Sequence, residues 1–208
     1  MIVSVVRQTV LAALVAVLTL SCGGTQITKS SIDRNRVGKP VSDILVIVVA
    51  DKPENRATFE RKFVEHLQAA GVEAVSSTEA FPMPPDLKLE KDVILKAVAK
   101  YETDAVIITF LAGIEEKDTN VNTGRVYQGY YDYYGFAYGY VNDTGFYRGV
   151  TTVKLRTNLY DVKTEKLIWS GESKSTDVGS VGQLTNEVIP LVVAELQKNN
   201  LIAPKKQS

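Results

Sequence analysis

The stretch VTTVKLRTNLYDVKTEKLIWSGES, residues 150–173, has the pattern of a β-hairpin against which the rest of the chain must pack. Val153, Leu155 and Leu159 alternate with polar residues, which is the period-two pattern of a strand with one buried face. Turn-forming residues follow at 161–165, and the run KLIWS then returns antiparallel with the only tryptophan of the chain. The turn lacks an Asn-Gly or Asp-Gly pair, so we expect a connection of about 4–5 residues.

Upstream of this hairpin, buried strands alternate with amphipathic helices. Strands are predicted at 43–50, 72–75 and 104–111, and helices from Pro53 to Gly71, at 89–101 and at 180–200. The order β-α-β-α-β favours parallel pairing, with the antiparallel hairpin and a closing helix behind it. We therefore predict an α/β fold, with α+β as the alternative.

Two helices have apolar stripes that define their expected buried faces. In the first helix, from Pro53 to Gly71, four polar residues are expected to lie outside the apolar stripe: Glu60, Arg61, Glu65 and Gln68. The first stripe consists of Phe59, Phe63, Leu67 and Ala70, and the stripe of the last helix consists of Leu184, Val188, Leu191, Val192 and Leu196.

Composition argues against several classes of protein. Lys+Arg and Asp+Glu both number 24, so the chain has no net positive charge that would attract nucleic acid or acidic lipid. The single cysteine excludes a disulfide framework and a cysteine-rich metal site. The single histidine, His66, stands at the border of an apolar stripe with no ligand or acid at a useful spacing. We expect no cofactor, no metal and no enzymatic activity.

The first 21 residues have the features of a bacterial signal peptide. Arg7 precedes residues 9–20, which carry no charge. This run is shorter than the roughly 20 residues that a membrane-spanning helix needs, and it fits the apolar region of a signal peptide.

The only cysteine ends that segment, in LTLSCGG. This arrangement resembles the lipobox of bacterial lipoproteins, although Thr19 stands where leucine is commonest. The resemblance implies that Cys22 becomes the N-terminus and carries acyl chains such as palmitate. The alternative is an ordinary secretory signal. Gly23 follows the cysteine instead of aspartate, which by the enteric sorting pattern implies the outer membrane and a domain that faces the periplasm.

The remaining domain organisation follows from composition. Residues 22–42, with the lipidated cysteine at their start, are polar and short of aromatics, so we expect a flexible tether. A single periplasmic domain spans 43–201, and 202–208 form a basic tail.

Residues 124–149 hold eight of the ten tyrosines among glycines. Three interpretations compete for this segment: a hairpin or loop that packs on its own domain, a protein-interaction or self-assembly surface, and a surface that stacks on the sugar rings of cell-wall glycan. Insertion into a membrane is a weaker fourth. The candidate contact residues are Tyr127, Tyr130, Tyr131, Tyr133, Tyr134, Tyr138, Tyr140 and Tyr147.

Two other patterns do not support a site. Asp118 begins a run, DTNVNTG, that resembles a calcium loop, but its glycine comes one position late and no glutamate closes it. Glu115, Glu116 and Asp118 could supply the acid pair of a glycosidase, but adjacent acids in a loop are usually solvated.

The hairpin and the lipobox together resemble a group of bacterial lipoproteins that contain a domain of unknown function. In that group an aromatic-glycine stretch precedes a strand ending in Asp, a Lys-Thr turn and a Leu-Ile-Trp strand. These positions are Asp161, Lys163, Thr164, Leu167, Ile168 and Trp169, and Glu165 replaces the glycine often found in the turn. The layout more distantly resembles the α/β domains of the curli-secretion and penicillin-binding-protein-activator lipoproteins.

The resemblance implies a non-enzymatic role in the cell envelope, with partners bound through protein contacts. Its motifs supply no catalytic residues. A glycan-binding module and an unrecognised hydrolase remain as alternative functions. The expected partners are the membrane through the lipid anchor, an envelope protein or a second copy, or cell-wall glycan, and not nucleic acid.

Overall fold

A computed structural model describes residues 24–35, 38–81, 88–114, 129–144, 152–176 and 178–204, with backbone alone at 113–114 and 139–144. The predicted signal peptide, Cys22, the acids Glu115, Glu116 and Asp118, and the calcium-like run at 118–124 lie outside the described residues.

Within those ranges six strands form one mixed sheet. They are β1 (Gln26–Ile32), β2 (Asp43–Val49), β3 (Glu73–Ser76), β4 (Ala105–Ile114), β5 (Thr152–Asp161) and β6 (Leu167–Thr176). Their order across the sheet is β1-β6-β5-β4-β2-β3. β2 pairs in parallel with β3 and β4, and the other neighbours pair antiparallel.

Helices cover both faces of the sheet, which confirms the predicted α/β class. The described helices are α1 (Pro53–Ala69), α2 (Ser77–Ala80), α3 (Lys91–Tyr101), α4 (Tyr130–Thr144) and α5 (Val181–Lys198). α1 and α5 pack on one face, and α3 and α4 pack on the other.

Strand β2, which lies between β4 and the edge strand β3, is apolar on both sides because it is covered on both sides. Ile44, Val46 and Val48 face the α1–α5 layer. The alternate residues, Leu45 and Ile47, face the α3–α4 layer. The prediction of a doubly covered strand is confirmed.

The hairpin predicted at 150–173 is present as β5 and β6, which are joined by five residues at 162–166. Asp161 Oδ1 accepts hydrogen bonds from the Thr164 backbone N–H and hydroxyl, each at 2.8 Å. Glu165 has a φ of 56°, a left-handed conformation in which glycine is least strained. In the group of lipoproteins that the hairpin resembles, a glycine is often found in this turn, and Glu165 replaces it here.

The predicted flexible tether at 22–42 is wrong over Gln26–Ile32, because this segment is strand β1, paired antiparallel with β6. Thr25 Oγ1 lies 2.7 Å from Ser175 Oγ and 2.6 Å from Glu187 Oε2, so the strand is also bound by side chains. Most of β1 is exposed. Its polar composition therefore reflects a position at the sheet edge, where little is buried.

The predicted tail at 202–208 is wrong at its start. Ile202 is buried and bridges to Val41, and the Val41 N–H donates to the Leu201 carbonyl at 2.9 Å. Residues 205–208 lie outside the described residues.

The closing helix α5 is capped at its N-terminus by Ser180, whose hydroxyl accepts the Gln183 N–H at 3.1 Å. Its buried face differs from the predicted stripe at one position. Leu191 is 37% exposed, whereas Ile189 is fully buried, since the covered face turns toward positions 185, 189 and 193.

Candidate functional site

The tyrosine-rich segment forms a helix, α4, over Tyr130–Thr144. The sequence interpretation as a hairpin or loop is therefore wrong for these residues. Tyr130, Tyr133, Tyr134 and Ala137 are spaced at i, i+3, i+4 and i+7, which is a helical stripe. Tyrosine favours strands and glycine disfavours helices, so composition obscured this period.

One row of α4 side chains belongs to the core. Tyr130, Tyr133 and Tyr134 are each 2% exposed or less. The Tyr133 ring packs edge-on against Phe110 at 5.7 Å between centroids and lies 5.5 Å from Tyr160. These three tyrosines, predicted as contact residues, pack within their own domain, as one of the three interpretations held.

The Tyr134 hydroxyl joins α4 to the segment before α3. It accepts the Leu89 backbone N–H at 2.7 Å. Burial raises the pKa of Tyr134 to about 12, and the hydrogen bond from Leu89 opposes that rise. The phenol therefore stays neutral in the fold, where its oxygen satisfies a buried donor.

A second row of α4 side chains is only half buried. Tyr131 and Tyr138 lie on either side of Tyr134, each with its ring centroid 6.3 Å from the Tyr134 ring. Lys91 Nζ stands 5.9 Å from the centre of the Tyr131 ring, within cation–π distance. We call Tyr131, Tyr138 and Lys91 the tyrosine face.

The remaining predicted contact residues cannot be added to this face. Tyr127 and Tyr147 lie outside the described residues, and Tyr140 is described by its backbone alone. The site therefore retains two of the eight predicted tyrosines with partly accessible rings.

A buried ion pair at the edge of β2 was not predicted. Arg56 and Glu60 are 1% and 0% exposed, and Arg56 Nε donates to Glu60 Oε1 at 3.0 Å. The Ser77 hydroxyl donates to the same oxygen at 2.5 Å, and the Thr78 N–H donates to Oε2 at 2.8 Å. Glu60, expected outside the apolar stripe, is instead the centre of a polar network.

This network substitutes for a strand partner. The pairing of β2 with β3 ends at Val46 and Ser76, and the Val48 N–H donates to Glu60 Oε1 at 2.9 Å. The carboxylate thus satisfies a backbone donor beyond the end of β3. Both carboxylate oxygens of Glu60 accept hydrogen bonds from neighbouring groups. The Glu60 carboxylate is therefore a structural link and not an acid that is free for catalysis. The (i, i+4) spacing of Arg56 and Glu60 was the only signal in the sequence.

A small apolar pocket of about 50 Å³ opens at the carboxyl end of β2, beside the middle of β4. In open α/β sheets this is the usual position for ligands. Asp51 and Asn55 supply its polar side, and the Asn55 amide donates to Asp51 at 3.3 Å. The other lining residues are Val48, Val49, Ala50, Phe59, Thr109, Phe110, Leu111, Leu155, Val181 and Leu184.

His66 is half buried on α1, as expected of a boundary position. Across the described ranges, no three His, Cys, Asp or Glu residues lie close enough together to hold a metal ion. None of the helices in the described part of the chain is long and apolar enough to cross a membrane.

Comparison with known proteins identifies no family. No protein-family model matches the chain, and no curated protein matches it. Among solved structures, the PelC dodecamer from Paraburkholderia phytofirmans is 12% identical, with a TM-score of 0.46 over 88% of this chain and 100% of that one. A single-substitution variant of PelC, also a dodecamer, has a TM-score of 0.48 at 12% identity, covering 88% and 99%. Likeness at this level carries no argument about function.

Proposed function

We propose that this chain is an outer-membrane-anchored lipoprotein that faces the periplasm and has a non-catalytic accessory or assembly role in the cell envelope. In this proposal Cys22 carries the lipid anchor, and the tyrosine face binds a partner protein or a second copy. The observation that carries the proposal is the half-exposed pair Tyr131 and Tyr138 beside a buried row of tyrosines.

The anchor is supported by the position of the only cysteine, directly after an uncharged run at 9–20 and Ser21. Each buried CH₂ of an acyl chain contributes about 0.8 kcal/mol, so two or more chains hold a protein on a membrane stably.

The contact role is supported by how the tyrosine face is held. Tyr133 and Tyr134 fix α4 against the sheet, so Tyr131 and Tyr138 project from a rigid element. A rigid surface loses less conformational entropy on binding. Tyrosine is enriched at the centres of protein interfaces because it offers a large apolar area with a polar tip.

The contact role is tested by placing a photo-crosslinking amino acid at Tyr138 in cells and identifying the adducts by mass spectrometry. We expect an adduct with an envelope protein or with a second copy. Gln197, exposed on α5, serves as the control position. A Tyr138 probe that gives no adduct, or the same adducts as the Gln197 probe, would contradict the contact role.

The anchor is tested by Cys22→Ser with membrane fractionation and by mass analysis of the mature N-terminal peptide. We expect an acylated Cys22 peptide in the wild type and release of the variant from the membrane. Unmodified Cys22 in a membrane-bound wild type would refute the anchor.

Glycan binding is the second candidate function, because the half-buried rings of Tyr131 and Tyr138 offer aromatic surface on which a sugar ring could stack. Co-sedimentation with purified sacculi separates it from the first. Pelleting that is lost in Tyr131→Ala and Tyr138→Ala would favour the glycan. If the protein does not pellet with sacculi, glycan binding is excluded and binding of a partner protein or a second copy remains as the proposed role of the tyrosine face.

A further inference from the structure

The N-terminal arm, residues 24–40, joins the proposed anchor to the core of the domain. It contains strand β1, which lies at the edge of the sheet next to β6. Six of the seven residues of β1 are exposed. Among the described residues of the arm none is buried, and Val41 is the first residue that belongs to a hydrophobic core. The arm therefore adds almost no apolar burial to the fold.

The arm is held instead by hydrogen bonds near the surface. The ladder between β1 and β6 is interrupted by a register shift in the first half of β1. The Thr25 hydroxyl donates to the Glu187 carboxylate on α5 at 2.6 Å, and the Ser30 hydroxyl donates to Glu195 on the same helix at 3.4 Å. Elements with few buried apolar contacts and exposed hydrogen bonds open at the lowest free energies in a native protein. This description fits β1 and the chain on either side of it.

The fixed part of the domain begins at Val41. Its N–H donates to the Leu201 carbonyl at 2.9 Å, and its carbonyl accepts the Ala203 N–H at 3.0 Å. Val41 is also 3% exposed and forms a parallel bridge with Ile202. None of these contacts involves β1 or β6, so they remain in place when β1 separates from β6.

We propose that β1 separates from β6 while the rest of the domain stays folded, and that this opening lengthens the link between the domain and the membrane. The inference rests on the proposed lipid anchor at Cys22. With β1 paired, Cys22 precedes the fixed Thr25 by three residues, so their Cα atoms are at most about 11 Å apart. With β1 released, a flexible chain of about 19 residues joins Cys22 to Val41, with a root-mean-square span on the order of 25 Å. The tyrosine face then reaches partners farther from the membrane.

Hydrogen exchange of the purified, acylated protein tests the opening. Ser31→Cys with Ser170→Cys replaces two residues that are directly opposite on β1 and β6, at a separation that a disulfide can bridge. Oxidation locks β1 onto β6, and reduction frees it. In the reduced form we expect the protected amides of β1 to exchange at least about a hundredfold faster than those of β5. Oxidation should remove most of that difference.

The far end of β1 distinguishes opening of the whole strand from fraying of its first residues. The Asp33 N–H, just after β1, donates to the Ile168 carbonyl at 3.0 Å. If β1 opens as a unit, this amide exchanges at the same rate as the protected amides nearer Thr25. An Asp33 amide as slow as those of β5 would mean that only the start of the strand frays, and would overturn the inference.

Two matched controls show whether the effects belong to the arm. Thr152→Cys with Thr176→Cys places the same staple between β5 and β6, and its oxidation should leave β1 fast. Thr25→Val removes the hydroxyl that binds Glu187 and should speed the exchange of β1 about tenfold. Thr164→Val, which removes a hydroxyl in the hairpin turn, should leave that rate unchanged. Far-UV circular dichroism verifies the fold of each variant.

Failure of the anchor and failure of the inference give different results. An N-terminal peptide without acyl chains would refute the anchor and with it the change in membrane reach, whatever the exchange rate of β1. An acylated protein whose β1 amides exchange as slowly as those of β5 would overturn the inference alone. Equal slowing of β1 by the two staples would overturn it as well.

Discussion

The two layers that cover the sheet are built from different side chains. The α1–α5 layer is mainly aliphatic, with Phe63, Leu67, Val188 and Leu196 fully buried. The α3–α4 layer packs the tyrosine helix against the sheet, including Phe110. Each buried tyrosine in that layer brings a hydroxyl that needs a hydrogen-bond partner.

The difference shows how one helix can be both core and surface. An aliphatic side chain at the edge of a layer has no polar group that could form a hydrogen bond with a partner. A tyrosine at the same place keeps an accessible ring and a polar tip, as Tyr131 and Tyr138 do beside the buried Tyr134. The aromatic layer therefore keeps accessible tyrosine rings beside its buried ones.

The largest expected effect comes from the ion pair of the α1–α5 layer. Glu60→Ala should lower the free energy of unfolding by about 3–5 kcal/mol, because it leaves Arg56 buried without its carboxylate. The Val48 and Thr78 N–H groups would lose their acceptor as well. Urea unfolding measures the change.

The matched control for this change is Glu65→Ala on the same helix. Glu65 pairs with Arg61 at the surface, where an ion pair contributes little. Equal losses from the two substitutions would show that the Glu60 network does not stabilise the sheet edge.

The next effect tests whether the tyrosine layer is core. Tyr133→Ala should cost about 3 kcal/mol, because a fully buried ring leaves a cavity between Phe110 and Tyr160. Tyr131→Ala, on the half-buried row of the same helix, should cost less than about 1 kcal/mol. Unfolding midpoints that shift equally in the two variants would contradict the division of α4 into two rows.

A third effect distinguishes the layers by pH. Tyrosine in the unfolded chain has a pKa near 10, and in the fold burial raises the pKa of Tyr134 to about 12. The unfolded state therefore releases its proton first, and stability that is intact below pH 10 is lost progressively toward pH 12. The expected loss is on the order of 2 kcal/mol.

The control for the pH effect is Tyr134→Phe. This variant should be less stable at neutral pH, by about 1–2 kcal/mol, because the Leu89 N–H loses its acceptor. Its unfolding free energy should also fall less steeply above pH 10. Parallel pH profiles for wild type and variant would refute the assignment to Tyr134.

The aliphatic layer was predictable from the sequence for a simple reason. In β2 the run ILVIVV is apolar at every position, which only a doubly covered strand requires. In α1 the spacing of Phe59, Phe63 and Leu67 has the helical period. These patterns depend only on which positions are buried, and buried positions can be recognised in a sequence from the spacing of its apolar residues.

The aromatic layer and the sheet edge were predicted less well because other forces decide them. Tyr130–Thr144 has weak helical propensity, and packing on Phe110 and Tyr160 overrides it. Glu60 is buried only because tertiary structure brings Val48 and Thr78 to it. Most β1 side chains remain exposed, so its composition resembles that of a linker. None of these contacts is local in sequence.

The last comparison takes one glycine from each layer. A Cβ at Gly171 would overlap the Trp169 ring in the α1–α5 layer, so Gly171→Ala should destabilise the fold by about 1–3 kcal/mol. A Cβ at Gly135, on the exposed side of α4, meets nothing within 4 Å. Gly135→Ala should therefore stabilise the fold by about 0.5–1 kcal/mol through the higher helix propensity of alanine. Thermal unfolding of the two variants should shift in opposite directions, and a downward shift for Gly135→Ala would mean that α4 makes contacts there or is not a helix at that residue.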